Sequence, residues 1–528
     1  MGRSVANEGF ITALIRNAPY DEFHFFLPDE GQAVIVTERL ASLFPEKTRA
    51  GAFTVVTRHA LPSAVAENAY EVFHLSDCVA DNAALQRLRN GLSRNIFAIT
   101  GTTHSLSYAR YPLYFFDQIW PGVTERDAVI ATSTAGKHAM RSMFSALRAG
   151  YALDASFVSP KVAHIPLGVD MGDFVSPAEK EAVGGNLRKR MGIAANSCML
   201  LVFARISHYS KMDVLPLFRA LVRAEESGLA KGSYTLVLAG WMDTGDAAPT
   251  AYSEIAERLG INFLLVPSPD NATRKELFAA ADIFLSPVDN PQETFGLTML
   301  EAGAASLPVI ASDFDGYRDL VTDGETGVLI PTIGPSDTTE TDMLSGVWFD
   351  NQHHLQLAQQ SVVSVPHLAK AIASLANDAA LRKRYGAAAH ERVAAKYTWD
   401  MVALSHVALW DELAATPMPE RPQVDHPMHP AYGTVFGGYY TRLLDPSMVV
   451  RWTKFGEAVY RGKDFPAVYA GVERLVQLDA LRKLLFNARK DTPVESLLPA
   501  NTPSPEGERA AFLILWALKH DLLEEAFR

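Results

Sequence analysis

Residues 283–306 read IFLSPVDNPQETFGLTMLEAGAAS, and three textures follow one another within them. Ile283 to Ser286 is a short apolar run closed by Pro287, which is how a buried strand is written. A polar loop then carries Glu293 into Gly296-Leu297-Thr298, and Ala302-Gly-Ala-Ala-Ser306 continues as a helix of small residues. Glu293 and Glu301 stand eight positions apart and flank the point where loop becomes helix. A helix start presents unpaired backbone N–H groups and the positive end of the helix dipole, so Gly296, Leu297 and Thr298 are placed to cradle an anionic phosphate. The two carboxylates are placed to accept hydrogen bonds from hydroxyls. Sugars and ribose are the hydroxyl-rich partners such a site would suit.

The same strand-then-helix texture extends in both directions. Toward the start, short runs occur at Phe23 to Leu27, Ala33 to Val36, Phe53 to Val56, Val72 to Leu75, Ile96 to Thr100, Val129 to Thr132 and Lys161 to Pro166. A second series comprises Met199 to Ala204, Tyr234 to Ala239, Asn262 to Val266, Ile283 to Ser286, Val309 to Ser312 and Gly327 to Ile330. Runs of this length separated by helix-length segments predict parallel sheets, and two series predict an α/β protein of two doubly wound, Rossmann-like domains facing a central cleft. The expected divisions are 1–170, 171–398, a crossing helix at 399–415 and a helical extension at 416–528. A linker is expected near Gly168 to Gly185, around Pro177. Thr332 to Val365 reads as a polar loop insertion. Leu368 to Asn377 and Ala379 to Lys396 read as amphipathic helices, with a last helix running through Leu413. Pro417 to Pro430 reads as a linker with five prolines, and the leucine spacing from Val472 to Leu485 and Ala510 to Phe527 reads as helix.

Composition narrows the class. The 528 residues suffice for three or four domains of about 150 residues each. Hydrophobic residues make up 48% and charged residues 20%, enough for sizeable cores. A formal net charge of −12 argues against nucleic-acid binding by bulk charge. Cys78 and Cys198 are far apart and in no metal-ligand spacing, which predicts buried thiols in a reducing compartment. MGRSVANEGF lacks a secretory pattern, and no run is long enough to span a bilayer, so a cytoplasmic location is expected, with a peripheral place at the inner membrane face left open.

The stretch around Glu293 and Glu301 resembles the E-x7-E element of retaining GT-B glycosyltransferases of the glycosyltransferase family 4 type. Other segments match that family in order over roughly residues 95 to 410. His164-Ile-Pro-Leu-Gly-Val-Asp170 is similar to its "IPNGVD" segment, with Leu167 in place of Asn, and Phe203-Ala-Arg205 with Lys211 is similar to its "GR…K" pair. SDFDGYRDLVTDGETG, residues 312–327, is similar to its "SDVGGIPEVVxDGxTG" run. Thr398-Trp399 stands where its crossing helix begins.

The resemblance implies a hexosyltransferase that takes a nucleoside-diphosphate sugar, a UDP-sugar ahead of a GDP-sugar, and retains anomeric configuration. It assigns Arg205 and Lys211 to the donor diphosphate, Glu293 to the transferred sugar and Glu301 to the ribose. Phe295, Gly296, Leu297 and Thr298 form the donor-side loop and helix start, and His104 in Thr103-His104-Ser105 positions sugar hydroxyls. The family opens on an apolar strand and a glycine-rich loop near the phosphates, whereas here residues 1–8 precede Gly9. Gly9-Phe10, opening a helix through Arg16, is the expected counterpart of that loop, with the strand itself lost, borrowed or upstream. No cofactor and no metal are expected: Asp313-Phe-Asp315 imitates a metal-binding DxD but lies inside the loop after the glutamates. Trp241 either lines the donor pocket or caps a strand. The acceptor stays open among glycan, lipid-linked sugar, protein and small molecule, and no nucleic-acid partner is expected. The leucine stripe of the tail calls for cover, which favours a homo-oligomer through the C-terminal helices. Two other readings fit the sequence: a sugar phosphorylase or glucan or disaccharide synthase of the same fold, and a non-catalytic GT-B scaffold.

Overall fold

A computed structural model describes residues 2–79, 81–176, 178–242, 248–348, 350–422, 424–469, 471–502 and 504–526. Pro177 lies outside the described residues. The chain divides into a large unit, 1–428, and a small one, 429–528.

The large unit opens with helix α1 (Gly2–Asn17), followed by β1 (Phe23–Leu27), β2 (Phe53–Thr57), β3 (Val72–Leu75), β4 (Ala98–Thr102) and β5 (Asp127–Ala131), then α2 (Thr134–Gly150) and β6 (Lys161–His164). Among the described residues β1 pairs only with β2, and β3-β4-β5-β6 form a separate sheet; all these pairings are parallel. Ala33 to Val36 is helix, not strand. Asp29 caps a helix Glu30–Leu43 by accepting from the Gln32 N–H, and Val34 and Ile35 face solvent. A four-residue apolar run does not by itself distinguish the two periodicities.

The second series forms β7 (Cys198–Phe203), β8 (Tyr234–Gly240), β9 (Phe263–Pro267), α3 (Asn271–Ala280), β10 (Ile283–Ser286), α4 (Leu297–Ala304), β11 (Val309–Ser312) and β12 (Gly327–Ile330). Its six parallel strands run β12-β11-β10-β7-β8-β9. Met199 to Val202 and Leu236 to Ala239 are at most 1% exposed, as continuous apolar runs should be when helices cover both faces of a sheet. The order reverses between β10 and β7, so the loops leaving their carboxyl ends diverge and open a crevice there. Those loops carry Arg205 and Lys211 after β7 and Glu293 after β10.

The expected loop insertion is ordered. β13 (Thr332–Ile333) and β14 (Val362–Val363) pair antiparallel and bracket two helices, Thr339–Leu344 and Asp350–Ala358. Polar, short helices of this kind lack the apolar stripe that sequence periodicity detects. The helices Val365–Asn377 and Ala379–Lys396 follow, and α5 (Trp399–Ala415) then crosses back to the first lobe. Its Trp399, Val402, Ala403 and Leu413 pack with Ala98, Ala128, Ile130 and Ile165. Arg126 ties the end of α5 by donating to the carbonyls of Ala414 and Thr416 at 3.0 and 2.7 Å. This is the GT-B arrangement of two Rossmann-like lobes.

Part of the expected linker is pinned to the first lobe, since Arg421 donates to the Ser93 carbonyl and a ring nitrogen of His426 lies 2.7 Å from the Asp117 carbonyl. The small unit contains the expected helices Leu478–Asn487 and Pro505–Lys519 and, with them, a three-stranded antiparallel sheet. In it β15 (Val449–Trp452) lies between β16 (Thr492–Pro493) and β17 (Leu523–Glu525). Leu481 and Leu485 are fully buried against Val450, Ile514 and Leu523, so much of the leucine stripe is covered from within its own unit. Among the described residues, no helix is long and apolar enough to cross a membrane.

Candidate active site

At the crevice between β7 and β10, the Lys211 ammonium forms an ion pair with Glu293 Oε2. The Tyr317 hydroxyl donates to the same oxygen at 3.2 Å, while Glu293 Oε1 faces the N–H groups of Thr294 and Phe295 at 3.3 and 3.4 Å. Burial favours the neutral form of both charged groups, and each charge overrides it for the other. The Glu293 carboxyl is thereby held below its ordinary range and the Lys211 ammonium above its own. Tyr317 is fully buried, is held by Ser286 at 2.9 Å and has its hydroxyl pKa raised by burial and then by Glu293. The site therefore holds a fixed anion and a fixed cation in contact.

Gly296 starts α4 in the left-handed conformation, φ 97° and ψ 62°, and a Cβ there would lie 2.2 Å from the Tyr317 ring. Only glycine satisfies both conditions. Leu297 and Thr298 follow as the first turn, whose N–H groups have no partner inside the helix. The Thr298 hydroxyl is buried without a partner. The Phe295 side chain is 3% exposed and belongs to the core, which leaves its backbone to form the expected donor-side loop.

Glu301 lies within α4. Arg274 of α3 donates to Glu301 Oε1 at 2.6 Å, and its guanidinium stacks 5.0 Å from the Phe174 ring centroid. Glu301 Oε2 is buried and has no hydrogen-bond partner. Burial raises the Glu301 pKa against the opposing pull of Arg274. One oxygen is thus committed and the other remains a ready acceptor.

Arg205 leaves the end of β7 exposed, with its guanidinium 6.0 Å from the Trp241 ring centroid and 3.3 Å from the Ser210 hydroxyl. It does not join the Lys211–Glu293 pair. His104 follows β4 in the first lobe, with a ring nitrogen 2.8 Å from the Ser76 carbonyl. Its neighbour Ser105 donates to the Gln292 carbonyl at 3.0 Å, which joins the His104 loop to the Glu293 loop. The insertion strengthens that link, since the His354 ring nitrogen lies 2.9 Å from the Ser107 hydroxyl and Asp350 accepts the Ala109 N–H at 3.1 Å. On the other side, Asp319 accepts the Thr134 N–H at 2.6 Å.

Gly9 requires correction. It sits inside α1 rather than in a loop, and a Cβ on it would lie 2.3 Å from the Trp399 indole nitrogen. Its lack of a side chain lets α1 and α5 approach closely. Of the DxD-like pair, Asp313 is held by Arg318 at 2.6 Å.

Three residues beside the expected set shape the site. Arg274 and Tyr317 orient the two glutamates, and Asp315, at φ +47°, has its pKa raised to about 7 by burial and by the Glu293 charge. The only sequence signal for the latter two was departure from the resembling run, which has Gly and Ile at these positions.

With this geometry in view, the comparisons with known proteins locate the chain. Residues 185–340 match the family model described as "Glycosyl transferases group 1", so the second lobe carries a glycosyl transferase group 1 domain. The D-inositol 3-phosphate glycosyltransferase of Geodermatophilus obscurus is 34% identical over 175 residues, covering 33% of this chain and 37% of that protein. The protein of the same name from Actinosynnema mirum is 30% identical over 217 residues, covering 41% and 48%. The chain therefore spans under half the length of these curated relatives. Among solved structures, Anabaena Alr3699/HepE in complex with UDP is 15% identical with a TM-score of 0.48, covering 74% of this chain and 99% of that one.

Proposed function

We propose that the chain transfers a hexose from a nucleoside-diphosphate sugar, a UDP-sugar ahead of a GDP-sugar, to an acceptor hydroxyl with retention of configuration. The observation that carries the reading is the pairing of Lys211 with Glu293 beside α4, whose helix start is open and whose Glu301 keeps one free acceptor oxygen.

In this reading the donor exchanges partners with the resting site. Its diphosphate draws the Lys211 ammonium from Glu293, and Arg205 and the N–H groups of Leu297 and Thr298 add to the positive field. Glu293, still held by Tyr317, is released to accept from hydroxyls of the sugar. Glu301 Oε2 accepts from the ribose. As the anomeric C–O bond breaks, negative charge grows on the leaving phosphate, and those groups stabilise it in place. The acceptor hydroxyl attacks from the face the phosphate leaves, and the phosphate takes its proton. His104 bounds the sugar from the first lobe.

Thermal unfolding with UDP, GDP, ADP and TDP tests the reading. A nucleotide at 100 times its dissociation constant adds about 2.7 kcal/mol, a shift of a few degrees. UDP is expected to stabilise most; no shift with any nucleotide contradicts the reading.

A further inference from the structure

The loops that carry Lys211 and Glu293 hold two further carboxyls that take no part in the proposed transfer. Asp213 stands two positions after Lys211, and Asp289 four positions before Glu293. The Asp213 N–H donates to Asp289 Oδ2 at 3.2 Å, so the two loops are joined through this pair. Asp289 is 6% exposed, and its Oδ1 is buried with no hydrogen-bond partner. Asp213 Oδ1 accepts the Leu215 N–H at 2.9 Å, while Oδ2 lies 3.5 Å from the Gln359 side-chain nitrogen. Elsewhere in this lobe, carboxylates withdrawn from solvent stand against a cation, as Glu293 does with Lys211, Glu301 with Arg274 and Asp282 with Arg188. Among the described residues, neither Asp213 nor Asp289 has a cationic partner.

Both carboxyls line a cavity of about 170 Å³ between the second lobe and the insertion. Gln359 and Val362 are exposed at its rim, whereas Leu217, Val363 and Leu368 are buried along its walls. A cavity of about 150 Å³ holds a molecule of benzene's size, so about six non-hydrogen atoms fit here. Burial raises the Asp289 pKa to about 7, and the Asp213 charge adds to that rise. A cation placed between the carboxyls offsets both effects. A bare divalent metal ion does not suit the lining, since it needs about six oxygen ligands and much of this surface is aliphatic. An ammonium group has three donors for the carboxylate oxygens, and an alkyl chain behind it suits the apolar walls. A neutral hydroxyl would satisfy Oδ1 but leave the like charges uncompensated.

We propose that this cavity binds a small primary alkylammonium ion, with its ammonium between Asp289 Oδ1 and Asp213 Oδ2 and its alkyl chain against Leu217, Val363 and Leu368. Charge-assisted hydrogen bonds to two carboxylates supply the affinity, and the size of the cavity limits the chain to four or five carbons. The bound ion bridges the loop of Lys211 to the loop of Glu293 without entering the crevice where those two residues meet. The site is therefore separate from the one assigned to the nucleotide-sugar, and it stands whether or not that assignment does.

Calorimetric titration of n-butylammonium chloride into the full chain tests the proposal, in physiological salt, which screens binding to exposed carboxylates. Saturable binding of one ion per chain is expected, with a dissociation constant of about 1 mM or below. 1-Butanol, which has the same shape without the charge, should bind at least tenfold more weakly. Asp289→Asn keeps an acceptor for the Asp213 N–H but removes the charge, and should weaken binding of the ammonium at least tenfold. Asp213→Asn, which keeps an acceptor for the Leu215 N–H, carries the same expectation and serves if Asp289→Asn does not fold. The readout needs neither nucleotide nor turnover, so a failure here is distinct from a failure of the sugar-transfer reading. No saturable binding at millimolar amine overturns the proposal, as does equal binding of 1-butanol or unchanged affinity in the variant that folds. Displacement of n-butylammonium by equimolar Mg²⁺ or Ca²⁺ assigns the carboxyls to a metal ion and overturns it too.

Discussion

The two lobes of the large unit are built from the same alternation of strand and helix, yet one sheet is continuous over six strands and the other is divided into two and four. In the continuous lobe the four inner strands β11, β10, β7 and β8 are buried, and the charged groups near the β7–β10 reversal stand in pairs, Lys211 with Glu293 and Arg274 with Glu301. In the divided lobe β1 and β3 are only half-buried, and His104 is placed by bonds its loop makes to the other lobe and to the insertion. The contrast teaches that a complete sheet builds its site internally, whereas an incomplete one borrows order from its neighbours.

The largest effect should come from Lys211→Ala. It leaves Glu293 buried without its cation, at a cost of about 3 kcal/mol, and lowers sugar transfer at least a hundredfold. Chemical denaturation and a donor-turnover assay would measure both, and a stability loss under 1 kcal/mol would break the picture of a self-contained second lobe. Gly9→Ala should come next: its methyl group meets the Trp399 indole, destabilising the α1–α5 contact by about 1–3 kcal/mol while nucleotide affinity stays unchanged. An affinity loss with stability intact would return Gly9 to the donor site.

Glu301→Gln keeps the shape and lowers nucleotide affinity about tenfold, read by titration calorimetry. The smallest effect is in pH. Asp289 and Asp315 have pKa values raised from 3.8 to about 7, by burial first and, for Asp315, by Glu293 next. A raised carboxyl pKa binds its proton more tightly in the folded state, so this stabilisation is full at acid pH and is lost as pH rises through about 7. Replacing both by Asn should flatten the stability slope between about pH 4 and 7; an unchanged slope removes these carboxyls from the account.

How much could be read from the sequence follows the same division. Ile283 to Ser286, Gly296 and the eight-residue spacing of the glutamates were legible because a buried strand, a left-handed turn and a helix start each restrict residue type. Arg274 and Tyr317 were not, since they reach the glutamates from α3 and from the short helix Tyr317–Leu320 after β11, and such contacts have no sequence period. Val34 and Ile35 misled because an apolar run on an exposed helix has the composition of a strand. The ordered insertion was hidden by its polarity, and Gly9 by a packing role that depends on Trp399, 390 positions away.

Calorimetric titration of UDP into the full chain and into Lys211→Ala tests the central claim, that the Lys211–Glu293 pair is opened by the donor diphosphate. The account predicts saturable UDP binding to the unaltered protein and affinity at least tenfold weaker in the variant. Equal affinity in the two proteins would contradict it.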